Sequence, residues 1–314
     1  MDETTWNNYM SALDGTLQSV PSGNPFTATI WNSLPIAVRI AYVTPAGVQA
    51  NMGVVPAGYS VVVDTAVGDY FILKAAATGS MVGVVSIASQ VSMVFFDPSD
   101  LLGPNDLGPP PTPDSQYILP LDTPRVVVGV GIAPSNNIAL REQYWMRAPD
   151  SFSILPGERQ DISTTTTTAM QRTSSSLDTI SASLGTSASA GWGPLSASVS
   201  ASLSVNSTSF QEISVNEERQ NYTADHVQGS GETASYFLKW QLMDIITVVE
   251  LGTGSVLASM VSGQAPVLSA GPYTIGEVPL ATRPRATGKA YPRNRLPVKR
   301  ALRAMSTRER RELG

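Results

Sequence analysis

Cysteine is absent from the 314 residues, and histidine occurs once, as His226. The first absence excludes a disulfide framework, Cys-based zinc sites, thiol nucleophiles and iron–sulfur ligation together. The second leaves one side chain that titrates near neutral pH, so a hydrolase triad would rest on His226 alone. That residue lies in a polar stretch, 223–232, which reads as a turn carrying an ordinary surface histidine. Gly129-Val130-Gly131 and Gly252-Thr253-Gly254 have no third glycine at dinucleotide spacing, and there is no Walker lysine, Gly-x-Ser-x-Gly elbow or His-containing metal cluster. Neither catalysis nor a cofactor is expected. No apolar run reaches about 18 residues, which excludes a transmembrane helix. Charge is scarce as well, at 14% of residues.

What the chain has instead is 25 Gly, 23 Pro and abundant Ser, Thr and Val, the material of short strands and turns. The expected fold is all-β. The opening Met1-Asp2-Glu3-Thr4-Thr5-Trp6 brings early acids where a secretory signal has a basic segment and an apolar run, so none is expected. Net charge is −5, but it is unevenly held: residues 283–314 carry +9 and the preceding 282 carry −14. A cationic tail follows an acidic body.

The organisation reads in five parts. Within residues 1–20, Trp6, Tyr9, Met10, Leu13 and Leu17 recur at helical spacing, either as a short amphipathic helix docked on the body or as a membrane or partner anchor. Residues 21–98 read as a β-sandwich recognition domain with strands near 26–31, 38–43, 59–63, 70–74, 81–87 and 91–96. Pro45-Ala46-Gly47, Pro56-Ala57-Gly58 and Gly68-Asp69 supply the breaks. Residues 99–124, with Pro109-Pro110-Pro111-Thr112-Pro113, read as a stiff linker. Residues 125–282 form a second β module, and 283–314 a basic tail or propeptide.

Within the second module, 24 of the 47 residues from 163 to 209 are Ser or Thr, and only Arg172 and Asp178 are charged. Composition alone suggests disorder or a glycosylated stalk. Spacing says otherwise. Ile180, Ala182, Leu184, Thr186, Ala188, Ala190 and Trp192 occupy alternate positions, and after Gly193-Pro194 the pattern resumes as Leu195, Ala197, Val199, Ala201, Leu203 and Val205. Between them stand Ser181, Ser183, Ser187 and Ser189, then Ser196, Ser198, Ser200, Ser202 and Ser204. Alternation of this length means a hairpin with one apolar and one hydroxylated face, reversing at Gly191-Trp192-Gly193-Pro194. Matching faces pair Trp192 with Leu195, Ala190 with Ala197 and Ala188 with Val199.

Two uses fit this hairpin. In an ordinary sandwich its apolar face packs on the core and its serines face water. In a membrane, arms of about eleven residues suit a tilted strand crossing a bilayer. The apolar side chains then meet lipid, the serines line a pore, and Trp192 sits at the interface. A lone hairpin cannot stay in lipid with its edges unpaired, so this use requires a closed barrel built from several copies.

In the tail, Arg293, Arg295, Lys299, Arg300, Arg303, Arg308, Arg310 and Arg311 follow one another past Pro292 and Pro297. Attraction to anionic lipid, phosphate contacts with nucleic acid, and removal as a propeptide are open, beside a plain solvated arm.

The block from Tyr144-Trp145 to Glu250, with Ser/Thr-rich strands enclosing the amphipathic hairpin and later strands near 210–215 and 236–249, resembles the pore-forming module of aerolysin-like β-pore-forming toxins. The resemblance implies a soluble protomer, receptor docking, a ring-shaped homo-oligomer and one hairpin per subunit in a transmembrane barrel. Earlier, Trp31-Asn32-Ser33, Val38-Arg39-Ile40, the run from Val54 through Pro56-Ala57-Gly58 to Ser60, and the run from Asp64 to Phe71 are similar to the β domain of the von Hippel-Lindau protein, over residues 26–97. That family reads a hydroxyproline peptide with His, Ser and Trp; Asp64, Thr65, Asp69 and Phe71 stand at those positions here, so the likeness implies the fold and a docking role but not that ligand. The function expected is therefore a cytolysin made without a signal peptide and acting outside the producing cell, with membrane lipid or a surface receptor as partner. The alternatives are a viral- or phage-type assembly protein whose tail meets nucleic acid, and a non-lytic lectin.

Overall fold

The computed structural model describes residues 3–102, 107–111, 122–133, 135–148, 152–170, 182–183, 219–229, 234–264 and 266–273. The chain enters through helix α1, Glu3–Asp14. Gly15 ends it in the left-handed region at φ 78°, and Thr16 N and Leu17 N both return to Ser11 O at 2.9 Å. Tyr9, Ala12 and Leu17 are buried, and Tyr9 donates its hydroxyl to Val82 O at 2.9 Å. The expected helical stripe thus lies on the body.

Fifteen strands follow among the described residues. They are β1 Ser22–Asn32, β2 Val38–Val43, β3 Gln49–Val55, β4 Ser60–Val67, β5 Tyr70–Ala75, β6 Met81–Ser86, β7 Met93–Phe96, β8 Val126–Ile132, β9 Asn137–Arg147, β10 Phe152–Ile154, β11 Arg159–Met170, β12 Arg219–Gln228, β13 Ala234–Glu250, β14 Val256–Gly263 and β15 Val267–Tyr273. The fold is all-β with one short N-terminal helix. A three-stranded sheet runs β4-β1-β7, and a larger sheet runs β12-β11-β14-β13-β9-β8-β6-β5-β2-β3, with β10 and β15 also on β13.

Strand β13 is the spine of the larger sheet. It pairs with β9 over eleven register positions, Trp240↔Arg147 to Glu250↔Asn137, with β14 from Met243 to Val249, and with β15 from Ala234 to Trp240. Its stretch from 237 to 249 is buried throughout, covered on both faces, so its polar members need internal partners. Trp240 Nε1 donates to Ser269 Oγ at 3.0 Å, and Gln241 Nε2 to Gln264 O at 2.8 Å.

Two cores flank this sheet. One joins Ala28, Ile40, Val63, Phe71 and Phe96 to Val127, Ile138, Leu140 and Val249. The other joins Tyr9, Leu17, Val43 and Ile72 to Val126, Trp145, Leu238 and Trp240. Each core draws on both of the stretches that the sequence sets apart as 21–98 and 125–282, and Met1–Tyr273 clusters as one unit. The described part of the Pro-rich stretch also packs against it: Leu107 is buried, and Ser269 Oγ donates to Pro111 O at 2.9 Å.

Two local expectations change. Strand β3 goes unread in the sequence because it is an exposed edge with no alternation, bent by Gly53 at φ 120°. His226 is not in a turn. It lies within β12, in register with Asp161 of β11, because a polar strand lacking an apolar face offers no period to read.

Candidate functional site

Strand β11 contains Thr164 through Thr168 in succession, β-branched residues that favour extended backbone. It pairs with β12 antiparallel over ten consecutive positions, from Arg159↔Gln228 to Thr168↔Arg219, without a register shift. Residues 171–218 therefore leave β11 and return to β12 at one end of a single two-stranded ribbon. The whole amphipathic pattern read from the sequence falls inside that excursion.

The ladder runs on past Arg159 at one end and joins the larger sheet at the other. At the near end, Gly157 N donates to Gly229 O at 3.1 Å, and Gly229 N donates to Glu158 O at 2.9 Å. A Cβ at Gly229 would lie 2.1 Å from Leu155 O, so this close backbone approach requires glycine. At the far end, Ala169 and Met170 pair with Gly263 and Ser262 of β14. Between these points, among the described residues, the outer edges of β11 and β12 carry no further ladder.

Of the membrane-facing and pore-lining residues, Ala182 and Ser183 are described. Both have helical backbone where the sequence pattern reads a strand, and Asn137 Nδ2 donates to Ser183 O at 2.9 Å. The other members of that set, between Ile180 and Val205, lie outside the described residues. So do the tail residues from Arg293 to Arg311 and the strand expected near 210–215.

The positions matched to the von Hippel-Lindau ligand site are mostly internal. Thr65, Asp69 and Phe71 are buried, and only Asp64 is exposed. Asp69 Oδ2 accepts from Thr65 Oγ1 at 2.9 Å and Ala66 N at 2.7 Å, while its Oδ1 accepts from the Tyr42 hydroxyl at 3.1 Å. Burial, and then the Asp69 charge, raise the Tyr42 pKa above its ordinary value. These groups brace the β4–β5 turn. The outer face of the three-stranded sheet carries exposed Val62, Met93 and Phe95, with the Phe95 and Trp31 rings 6.4 Å apart.

A polar cluster missed in the sequence lies across β9 and β13. Asp244 Oδ1 accepts from Arg141 Nε at 2.7 Å and Gln143 Nε2 at 2.9 Å, and Oδ2 accepts from Gln264 Nε2 at 3.2 Å. Thr247 Oγ1 donates to Glu142 Oε2 at 2.9 Å. Arg141 and Asp244 lie 103 positions apart, and nothing in their surroundings in the chain links them.

No protein-family model matches the chain, and no curated protein matches it. Among solved structures, the crystal structure of Cry35Ab1 is similar at a TM-score of 0.35 and 9% identity. The match covers 68% of this chain and 60% of Cry35Ab1.

Proposed function

We propose that this protein forms pores: copies assemble on a target membrane, and each contributes the hairpin of residues 180–205 to one transmembrane β-barrel. The observation that carries the reading is register. In the β11–β12 ribbon each step forward on β11 is one step back on β12. Continued in the same step, Ala182 comes opposite Val205, Leu184 opposite Leu203, Ala188 opposite Val199, Ala190 opposite Ala197 and Trp192 opposite Leu195. The reversal then falls on Gly193-Pro194.

These are the pairs that face matching within the hairpin requires. A slip of one residue would set most of these apolar side chains opposite serines. In this reading the ladder and the hairpin extend as one ribbon with an apolar band from 182 to 192, interrupted by Thr186, and from 195 to 205. Eleven residues rising about 3.3 Å each and tilted about 40° span roughly 28 Å, against an apolar band of about 25 Å in membrane barrels. Nearer the body the ribbon is polar on both faces, which suits a barrel wall standing in water.

In this account the helical turn at Ala182 and Ser183 belongs to the soluble form, and insertion breaks its hydrogen bond to Asn137. The likeness to aerolysin-like toxins and the action outside the producing cell belong to the same proposal. The protein performs no catalysis in this scheme.

Dye release from liposomes, with proteolysed and intact protein, tests it. Val199→Asp is expected to abolish leakage and leave thermal stability nearly unchanged, because a charge at the bilayer midplane is costly while a surface charge is not. Intact vesicles under every treatment, or a large loss of stability in Val199→Asp, would overturn the reading.

A further inference from the structure

Strand β3 ends the larger sheet, paired with β2 on one side and with no strand on the other among the described residues. Gln49 to Met52 and Val54 are exposed, and the strand holds no charged residue and no proline. Native edges are commonly guarded by a lysine, a proline or a covering loop, so an uncharged edge this open is a template for another strand. The backbone shows where such a strand bonds. Thr44 N donates to Val48 O at 2.9 Å, which makes 44 and 48 a bonded pair, and alternation makes Tyr42 and Ala50 the next one. Gln49 and Asn51, opposite Val43 and Ala41, belong to the other kind of pair, so their N–H and C=O groups point away from β2. Past the bulge the edge is partly closed, because Gly53 N is taken by Asn51 Oδ1 at 3.2 Å.

Charge selects the occupant. Between Asp14 and Asp64 the sequence has no acidic residue, and Arg39 is its one charged side chain. Arg39 is exposed, stands in register with Val54 of β3, and forms no ion pair among the described residues. Lys74 of β5 is in register with Arg39 from the other side of β2, and so on the same face of the sheet. Its Nζ reaches β3, donating to Gln49 Oε1 at 2.8 Å, one use of an ammonium that has three donors. Lys74 thus serves the Gln49 end of the edge and Arg39 the Val54 end, in a protein whose first 282 residues carry −14. The other face of the strand leads inward, where Val55 joins the same core as Val38 and Ile40.

We propose that the free edge of β3 docks an extended segment of a partner protein in which acidic and apolar residues alternate, adding it to the sheet as one more strand. Alternation puts the partner's carboxylates on the face of Arg39 and Lys74 and its apolar side chains on the face of Val55. Main-chain hydrogen bonds at Gln49 and Asn51 hold the segment, and the two cations select it over a basic one. This inference does not rest on the pore-forming reading.

Fluorescence anisotropy of the full chain with a labelled, end-blocked heptapeptide of alternating Glu and Val tests the edge. Saturable binding is expected, with slower amide exchange at Gln49 and Asn51. Arg39→Gln weakens it about threefold or more and leaves the melting temperature unchanged. N-methylation of every peptide amide weakens it about tenfold or more, because the ladder is lost while the charges remain. A heptapeptide of alternating Lys and Val does not bind. The basic tail also attracts an acidic peptide, but that attraction survives both N-methylation and Arg39→Gln. Absence of saturable binding, equal binding of the N-methylated or the Lys peptide, or full affinity in Arg39→Gln would overturn the proposal. So would self-association of the chain that Val54→Lys abolishes, which assigns the edge to a second copy. Val199→Asp retains peptide binding, so this proposal and the pore reading fail separately.

Discussion

Arg141 and Asp244 meet at 2.7 Å between Nε and Oδ1, with side chains 2% and 1% exposed, near the middle of the longest strand pair among the described residues. Gln143 and Gln264 complete the shell around the carboxylate. Removing one member of such a pair leaves the other charge buried and uncompensated. Asp244→Ala is therefore expected to cost about 3–5 kcal/mol, read as a lower urea midpoint, and Asp244→Asn less. A midpoint unchanged in Asp244→Ala would mean that solvent reaches Arg141.

Tyr9 makes stability depend on alkaline pH. Burial alone raises its pKa well above the ordinary tyrosine value, and its hydroxyl must stay protonated to donate to Val82 O. The unfolded chain ionises this group near pH 10. Stability from the neutral Tyr9 is thus complete below about pH 10 and is lost progressively above it. Tyr9→Phe is expected to lose about 1 kcal/mol at neutral pH with the hydrogen bond, and to melt with a shallower alkaline decline. Melting temperatures from pH 7 to 11 report both effects.

Gly68 sits at φ +93° in the β4–β5 turn, and a Cβ there would lie 2.1 Å from Val20 O. Both the conformation and the clash with backbone oppose a side chain. Gly68→Ala should destabilise by about 2 kcal/mol or more, visible in chemical denaturation.

The ribbon register is open to a covalent test. Residues in antiparallel register are about 4.5–5.5 Å apart at Cα, within reach of a disulfide. Cysteines replacing Thr166 and Asn221, paired in the structure, should cross-link in the soluble protein. Cysteines replacing Ala188 and Val199 should cross-link after membrane treatment. Preferential linkage of Ala188→Cys to Ser198→Cys would refute the continued register. Non-reducing gel mobility and peptide mass distinguish these outcomes.

Much of this architecture is readable from alternation. Val38–Val43 is the same strand in sequence and structure, and Tyr70–Ala75 differs from the reading 70–74 by one residue. The pattern fails where burial is symmetric or absent. Strand β3 has no inward face to reveal, and the ten-residue ladder of β11 on β12 is largely polar. The merging of two stretches into shared cores is a long-range fact. Val126, Val127 and Val128 are consecutive apolar residues buried on both sides of a sheet, and such a run announces burial without naming the neighbours. The Arg141–Asp244 pair is hidden for the same reason, and the buried Ser80 hydroxyl has no sequence signature at all.

The attachment of β11 to β14 at Ala169 and Met170 alone separates this fold into regions of unequal permanence. Amide protons on β9 and β13, locked in a doubly covered ladder, exchange with solvent deuterium only when the whole body opens. Those along β11 beyond the hold of β14 can exchange by a local fluctuation that breaks little else. The molecule thus carries a fast-exchanging strip beside a slow-exchanging wall, and mass spectrometry of deuterated peptides should resolve the boundary near Thr168.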